Sequence, residues 1–270
     1  MRFSTPLTAR RRSRYLLLFL IFGFGCWFLR AADLPPQADV ATNRYEFRQP
    51  HDPAGTGKFY KGREIAQVLG HEAADWLERP ERDTEEHTEV LVDQLMLKPG
   101  EIVADIGAGT GYVSRRLARK VGVTGKVLAV DIQPEMLASL TNRMAAFGIS
   151  NVVPILGTAA EPKLPAASVD LVLMVDVYHE FDFPAEVMEA LCRSVKPGGR
   201  VVFVEYRGED PAVPIKPVHK MTEMQVKREM SVLPLDWLQT IEVLPRQHII
   251  IFRKRSPGNA AMPVTQGYGS

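Results

Sequence analysis

The chain has 270 residues, 46% of them apolar and 24% charged, with a formal net charge of +1. That composition is one of a globular domain with a core and an extension, and it excludes a disordered or fibrous chain. The charge is unevenly placed: residues 1–32 hold six arginines and no acid, and the remainder carries 27 basic and 32 acidic residues, a net of −5. An acidic folded part argues against a nucleic-acid partner held through its phosphates. The two cysteines, Cys26 and Cys192, give no disulfide framework, and no Cys/His cluster has zinc spacing, so no metal is expected.

At the N-terminus, Arg10-Arg11-Arg12-Ser13-Arg14 precedes an uncharged run from Tyr15 to Leu29. As a helix that run reaches about 22 Å, short of the roughly 30 Å apolar core of a bilayer. A basic flank, a short apolar run and the small residues Ala31 and Ala32 describe a secretory signal, with an uncleaved anchor as the equal alternative. Residues 1–32 are therefore expected to be a signal peptide or membrane anchor. The protein is then membrane-anchored or exported, with membrane association through its N-terminus; a cytosolic location is the remaining option.

Residues 33–57 contain Pro35, Pro36, Pro50, Pro53, Gly55 and Gly57 without an apolar period, and read as a linker. Helical spacing follows over Arg63–Leu77, with the stripe Ile65, Val68, Leu69, and over Glu85–Leu97, with Leu91, Val92, Leu95. Asp83 with Glu86 three residues on is a capping pair for the second helix. The polar and aromatic residues around His71 and Trp76 are placed to form a lid. These helices are read as the N-terminal extension of a domain over 58–255, and residues 256–270 as a disordered tail.

Val103-Ala104-Asp105-Ile106-Gly107-Ala108-Gly109-Thr110-Gly111-Tyr112 carries the most information. An apolar run ends in an acid, three glycines follow at every second position, and a helical pattern opens behind them. The order is strand, tight turn, helix N-terminus. Glycine lets the backbone approach a ligand closely, and the free N–H groups of the helix start face it. The dinucleotide fingerprint needs a third glycine where Tyr112 stands. An acid in such a turn suits a ligand that carries an ammonium as well as a carboxylate. A second β-like run, Lys126–Asp131, ends in an acid able to accept both hydrogen bonds of a ribose diol.

Lys196-Pro197-Gly198-Gly199-Arg200 is a helix stop and turn before the strand Val201–Tyr206. Leu238–Leu244 and His248–Phe252 are β-like runs separated by three residues, which permits only an antiparallel hairpin. The expected fold is α/β: a Rossmann-like doubly wound sheet, mostly parallel, with a C-terminal antiparallel hairpin and N-terminal helices.

Residues 100–253 resemble the class I S-adenosylmethionine-dependent methyltransferases. "VADIGAGTGY" is similar to their first motif, "VLAVDIQPEML" to their second strand and ribose acid, "VDLVLMVDVYHEF" to their fourth strand and active-site loop, and "VKPGG" to the turn before strand five. The resemblance implies S-adenosylmethionine as cofactor, bound by Asp105, Gly107, Gly109, Gly111, Asp131, Ile132 and Asp176. Where many members have Asp-Ala for the adenine, this chain has Gly157-Thr158-Ala159-Ala160-Glu161, so Thr158 with Ala159, or Glu161 reaching back, takes that contact. Reactive residues are expected after the fourth strand. His179 is a candidate general base because imidazole titrates near neutrality. Tyr178 offers a ring to a sulfonium or is core; Glu180 joins the reaction, caps the helix beginning near Pro184, or faces solvent. Glu205-Tyr206-Arg207 and His219-Lys220 reach the same rim or pair with neighbouring charges.

The expected function is in-line methyl transfer to a small-molecule or lipid acceptor. The alternatives are a protein-acceptor enzyme of the isoaspartate type, an NAD-dependent oxidoreductase, and a cofactor-binding module without catalysis.

Overall fold

The computed structural model describes residues 44–256. Three short strands come first: β1 (Tyr45–Phe47), β2 (Gly55–Tyr60) and β3 (Arg63–Ala66), joined antiparallel into a sheet of their own. They correct two expectations. Residues 45–47 and 55–57 are strand rather than linker, and Arg63–Ala66 is strand rather than helix. Ile65 and Ala66 are fully buried within the strand, whereas Val68 and Leu69 of the apparent helical stripe lie beyond it and are exposed. A 3₁₀ turn (His71–Ala73) then leads into α1 (Ala74–Leu77), α2 (Arg82–Glu86) and α3 (Thr88–Gln94). His87, left-handed at φ 51°, breaks the second expected helix in two. Asp83 does not cap it; its carboxylate accepts from Tyr112 Oη at 2.6 Å and from Arg116 at 2.7 Å.

The main sheet is built from β4 (Ile102–Ile106), β5 (Lys126–Asp131), β6 (Val152–Leu156), β7 (Val169–Val175), β8 (Val195–Tyr206), β9 (Leu235–Ile241) and β10 (Gln247–Lys254). Its order is β6-β5-β4-β7-β8-β10-β9. The first five strands pair in parallel, and β10 enters antiparallel between β8 and β9. This is the expected mostly parallel sheet with a C-terminal antiparallel hairpin. The Lys196–Gly199 turn is present as an excursion within β8: the register with β7 jumps from Val169↔Val195 to Leu171↔Arg200, and Gly198 takes φ 77°.

Both faces of the sheet are covered, which is why its central strands read as near-continuous apolar runs. Alternate residues divide between the faces. Ala104, Val172, Met174 and Phe203 pack with Met188 and Leu191 of α6 (Pro184–Ser194) and Met230 of α7 (Glu223–Met230). Val103, Leu171, Leu173 and Val202 pack with α3 and with Leu117 and Val121 of α4 (Ser114–Val121). Leu140 and Met144 of α5 (Pro134–Ala146) close over Ala129. Proline opens both α5 and α6, where its missing N–H costs nothing. Thr222 caps α7 by accepting from the Gln225 N–H at 3.1 Å.

The expectation of a signal, an anchor and membrane association is corrected here. No helix among the described residues is long and apolar enough to cross a membrane. Residues 1–32, on which that reading was made, lie outside the described residues, as does the tail from 257 onward.

Candidate active site

In an open α/β sheet the ligand crevice lies beyond the carboxyl ends of the strands, where the chain winds away in both directions. Here that point is between β4 and β7. Gly107, Gly109 and Gly111 leave β4 with φ of 68°, 53° and 83°, a left-handed region that a side chain resists. A Cβ on Gly107 would sit 2.4 Å from Val177 Cγ2, and one on Gly109 2.9 Å from Leu77 Cδ1. These two glycines border the crevice. Gly111 does not: a Cβ there would meet Leu140 and Met144 at 2.9 Å, so it serves helix packing.

Asp131 locks the turn. Its Oδ2 accepts from the Gly109 N–H at 2.8 Å and its Oδ1 from the Gln133 N–H at 2.9 Å. Burial raises its pKa, against those backbone donors. Asp105 is also buried and accepts from Ser114 Oγ at 2.6 Å. Burial raises its pKa to about 6, while Ser114 and Arg82 oppose the shift.

These residues wall a cavity of about 420 Å³, within the range of small-ligand sites. Asp105, Gly107, Gly109, Asp131, Ile132, Thr158 and Ala159 line it together with Asp176, Val177, His179 and Glu180. Leu69, Trp76 and Leu77 also line it, so the segment expected as a lid does border the ligand space. Thr158 Oγ1 accepts from the Glu161 N–H at 3.0 Å, and Glu161 pairs with Arg193 rather than reaching the cavity.

The loop after β7 decides the reactive end. Asp176 is left-handed at φ 50°. Its Oδ2 accepts from Gln247 at 3.0 Å, while its buried Oδ1 has no partner. Burial, then Glu86 and Glu205, raise its pKa well above the usual carboxylate range. Tyr178 turns away from the cavity: it is fully buried, and its hydroxyl donates to Glu229 at 2.5 Å. Edge-on contacts with Phe181 and Phe203 make it core. Glu180 does not cap α6; its Oε2 accepts from the Leu69 N–H at 3.1 Å. Burial raises its pKa to about 7.

His179 is held by Glu205, the penultimate residue of β8, which is fully buried. Glu205 Oε1 accepts from the Tyr178 N–H at 2.9 Å and Oε2 from His179 Nδ1 at 2.6 Å. That assigns the proton to Nδ1 and leaves Nε2 as an acceptor. His219, from the 3₁₀ turn Pro217–His219, places Nδ1 3.2 Å from that nitrogen. Burial, His179 and Lys216 together lower the His219 pKa to about 4. The Glu205 brace and the close His219 contact are tertiary facts; only the position of Glu205 at a strand end marked it in the sequence. Arg207 leaves the site and pairs with Glu242. No motif marked Arg82, a cavity-lining residue bound to Glu86 at 2.7 Å.

A doubly wound sheet of this order, with a glycine turn and two strand-end acids under one cavity, defines the class I S-adenosylmethionine-dependent methyltransferase fold. Residues 103–199 match the family model described as a methyltransferase domain, and these residues carry that fold. An uncharacterized methyltransferase of Mycobacterium bovis is 38% identical over 124 residues, 46% of this chain and 47% of that protein. A ubiquinone/menaquinone biosynthesis C-methyltransferase of Laribacter hongkongensis is 29% identical over 126 residues, 46% of this chain and 50% of that protein. The chain thus spans about half the length of the curated relatives it matches. A methyltransferase from Aquifex aeolicus superposes with a TM-score of 0.65 at 24% identity, over 69% of this chain and 99% of that one. The [4+2]-cyclase SpnF shares the fold at a TM-score of 0.55 and 16% identity, over 63% of this chain and 82% of that one. The cofactor of the domain is S-adenosylmethionine, and the close approach permitted at Gly107 and Gly109 fits it.

Proposed function

We propose that the chain methylates a small-molecule acceptor held in this cavity. One observation carries the reading: a single cavity runs from the glycine turn and Asp131 to His179, Glu180 and His219. Bound S-adenosylmethionine supplies an electrophilic methyl group on a sulfonium.

The chain's own residues then have distinct tasks. Asp131 accepts from a ribose diol at the turn it already orders, and Asp105 faces the cofactor's ammonium. Gly107 and Gly109 keep the backbone low enough for that approach, and Thr158 with Ala159 borders the adenine. Asp176 lies along the methionine part, and its partnerless Oδ1 is available to a donor there. At the far end, His179 Nε2 faces the acceptor and handles its proton, with Glu205 fixing the ring and balancing the charge that develops on it. Leu69, Trp76 and Leu77 exclude water around the transfer. Their apolar surface along a cavity of this size favours a small acceptor over a folded protein.

The test is calorimetry of the full-length protein with S-adenosylhomocysteine and with NAD, followed by a methyl-acceptor screen. Binding of the thioether and not of NAD is expected. Binding of NAD in its place would overturn the reading.

A further inference from the structure

We propose that His179, Glu180 and His219 form a binding site for a divalent transition ion, with zinc the ion whose bond lengths it fits. His179 Nε2 and His219 Nδ1 are 3.2 Å apart, and Glu180 Oε1 lies 3.8 Å from each. A point equidistant from three atoms so spaced is about 2.1 Å from each, inside the roughly 2.0–2.2 Å of zinc bonds to imidazole nitrogen and carboxylate oxygen. The three ligand atoms already lie within the span of one ion. His219 needs only its other tautomer, with the proton on Nε2.

Three further observations support the site. Glu205 accepts from His179 Nδ1 at 2.6 Å and is itself fixed by the Tyr178 N–H. A carboxylate on the far nitrogen of a ligating histidine is the arrangement that orients such ligands and raises their basicity. Glu180 is likewise oriented, since Leu69 N–H occupies Oε2 and leaves Oε1 toward the histidines. Finally, Glu180 and Glu205 are both buried, and among the described residues neither pairs with a lysine or arginine. Two buried carboxylates beside two imidazoles form a donor set that a bound cation would complement.

Three protein ligands facing a cavity leave a fourth position open, the pattern of a working rather than a closed zinc site. That position points to acceptors carrying an oxygen or sulfur with a removable proton: an alcohol, a phenol or a thiol. This substrate class rests on the methyltransferase reading above; the metal site does not. With the ion in place, the acceptor's proton leaves to solvent as its heteroatom binds the metal. The new heteroatom–carbon bond then forms as the sulfonium's sulfur–carbon bond breaks. With the ion bound, His179 Nε2 is a ligand, and the metal takes over the role in deprotonating the acceptor that the imidazole has in the metal-free site. The histidines are 40 residues apart, which is why sequence spacing did not disclose them.

The test uses full-length protein stripped with a chelator and dialysed. It is titrated with Co²⁺, followed by visible absorption, and with Zn²⁺ by calorimetry. One ion per chain is expected, with the intense bands of a four- or five-coordinate cobalt site. His219→Ala and Glu180→Gln should each weaken binding at least 100-fold, Glu205→Gln about 10–100-fold, and His71→Ala, an exposed histidine, not at all. His219 stands in a half-buried turn, so its variant tests the site without opening the core. Failure of the wild-type protein to bind either ion, or undiminished binding by folded His219→Ala, would overturn the site. S-adenosylhomocysteine is titrated into the same samples. Thioether binding without metal binding removes the metal site alone, and metal binding without thioether binding removes the methyltransferase reading alone.

Discussion

Replacing Gly107 with alanine tests the turn on which the cofactor reading depends. The residue sits at φ 68°, where a Cβ costs about 1–2 kcal/mol. That Cβ would also lie 2.4 Å from Val177 Cγ2, against about 3.5–4.0 Å for a relaxed carbon contact. Val177 must leave its rotamer or the loop must shift, an overpacking cost of about 1–3 kcal/mol. The two terms give a loss of about 2–5 kcal/mol, a large fraction of the roughly 5–15 kcal/mol that stabilises a domain. The second term belongs to the pair. Val177→Ala removes both γ-methyls, so the double variant should recover about 1–3 kcal/mol relative to the sum of the singles, while the backbone term persists. Urea unfolding of the full-length variants measures the cycle, and calorimetry with S-adenosylhomocysteine reads its effect on the site. Val177 lines the cavity, so Gly107→Ala should weaken the ligand and the double variant should partly restore it. A Gly107→Ala protein with the wild-type midpoint, or a coupling below about 0.5 kcal/mol, would refute the reasoning.

Asp131→Ala should weaken S-adenosylhomocysteine by about 1–3 kcal/mol, since the ribose loses an acceptor and the Gly109 N–H its anchor; unchanged affinity in calorimetry counts against the assignment. His179→Ala should cut turnover by about 10²-fold or more while leaving cofactor affinity nearly intact, whether the imidazole acts on the acceptor or on a metal; equal rates with a known acceptor would return it to a packing role. Asp105 is raised from 3.8 to about 6 by burial, so the folded protein holds that proton more tightly than the unfolded chain. Stability of the ligand-free protein should therefore fall as pH rises through this window. Affinity for a cationic ligand should rise over the same range, and Asp105→Asn should flatten both profiles in thermal melts and titrations.

Local physics wrote much of this protein into its sequence. The run from Val103 to Tyr112 fixes strand, turn and helix start because only glycine tolerates three left-handed positions in five residues. The terminal hairpin follows from a connection too short for a crossover. Asp105 and Asp131 were legible because they stand at strand ends, and His179 because it follows one in the loop after β7. Other features depended on chain segments meeting in space. Arg63–Ala66 has the spacing of a helix, yet its partner β2 makes it a strand, since pairing and burial outweigh a stripe of three residues. Tyr178 and His179 are adjacent, but a 3₁₀ turn sends one ring into the core against Glu229 and the other to the cavity against Glu205. The convergence of His179, Glu180 and His219 has no local signature, because the histidines are 40 residues apart with α6 and β8 between them. Sequence thus determined the sheet and the cofactor turn, where each residue answers to its neighbours in the chain. Tertiary structure decided the reactive end, where the partners are neighbours only after the sheet has formed.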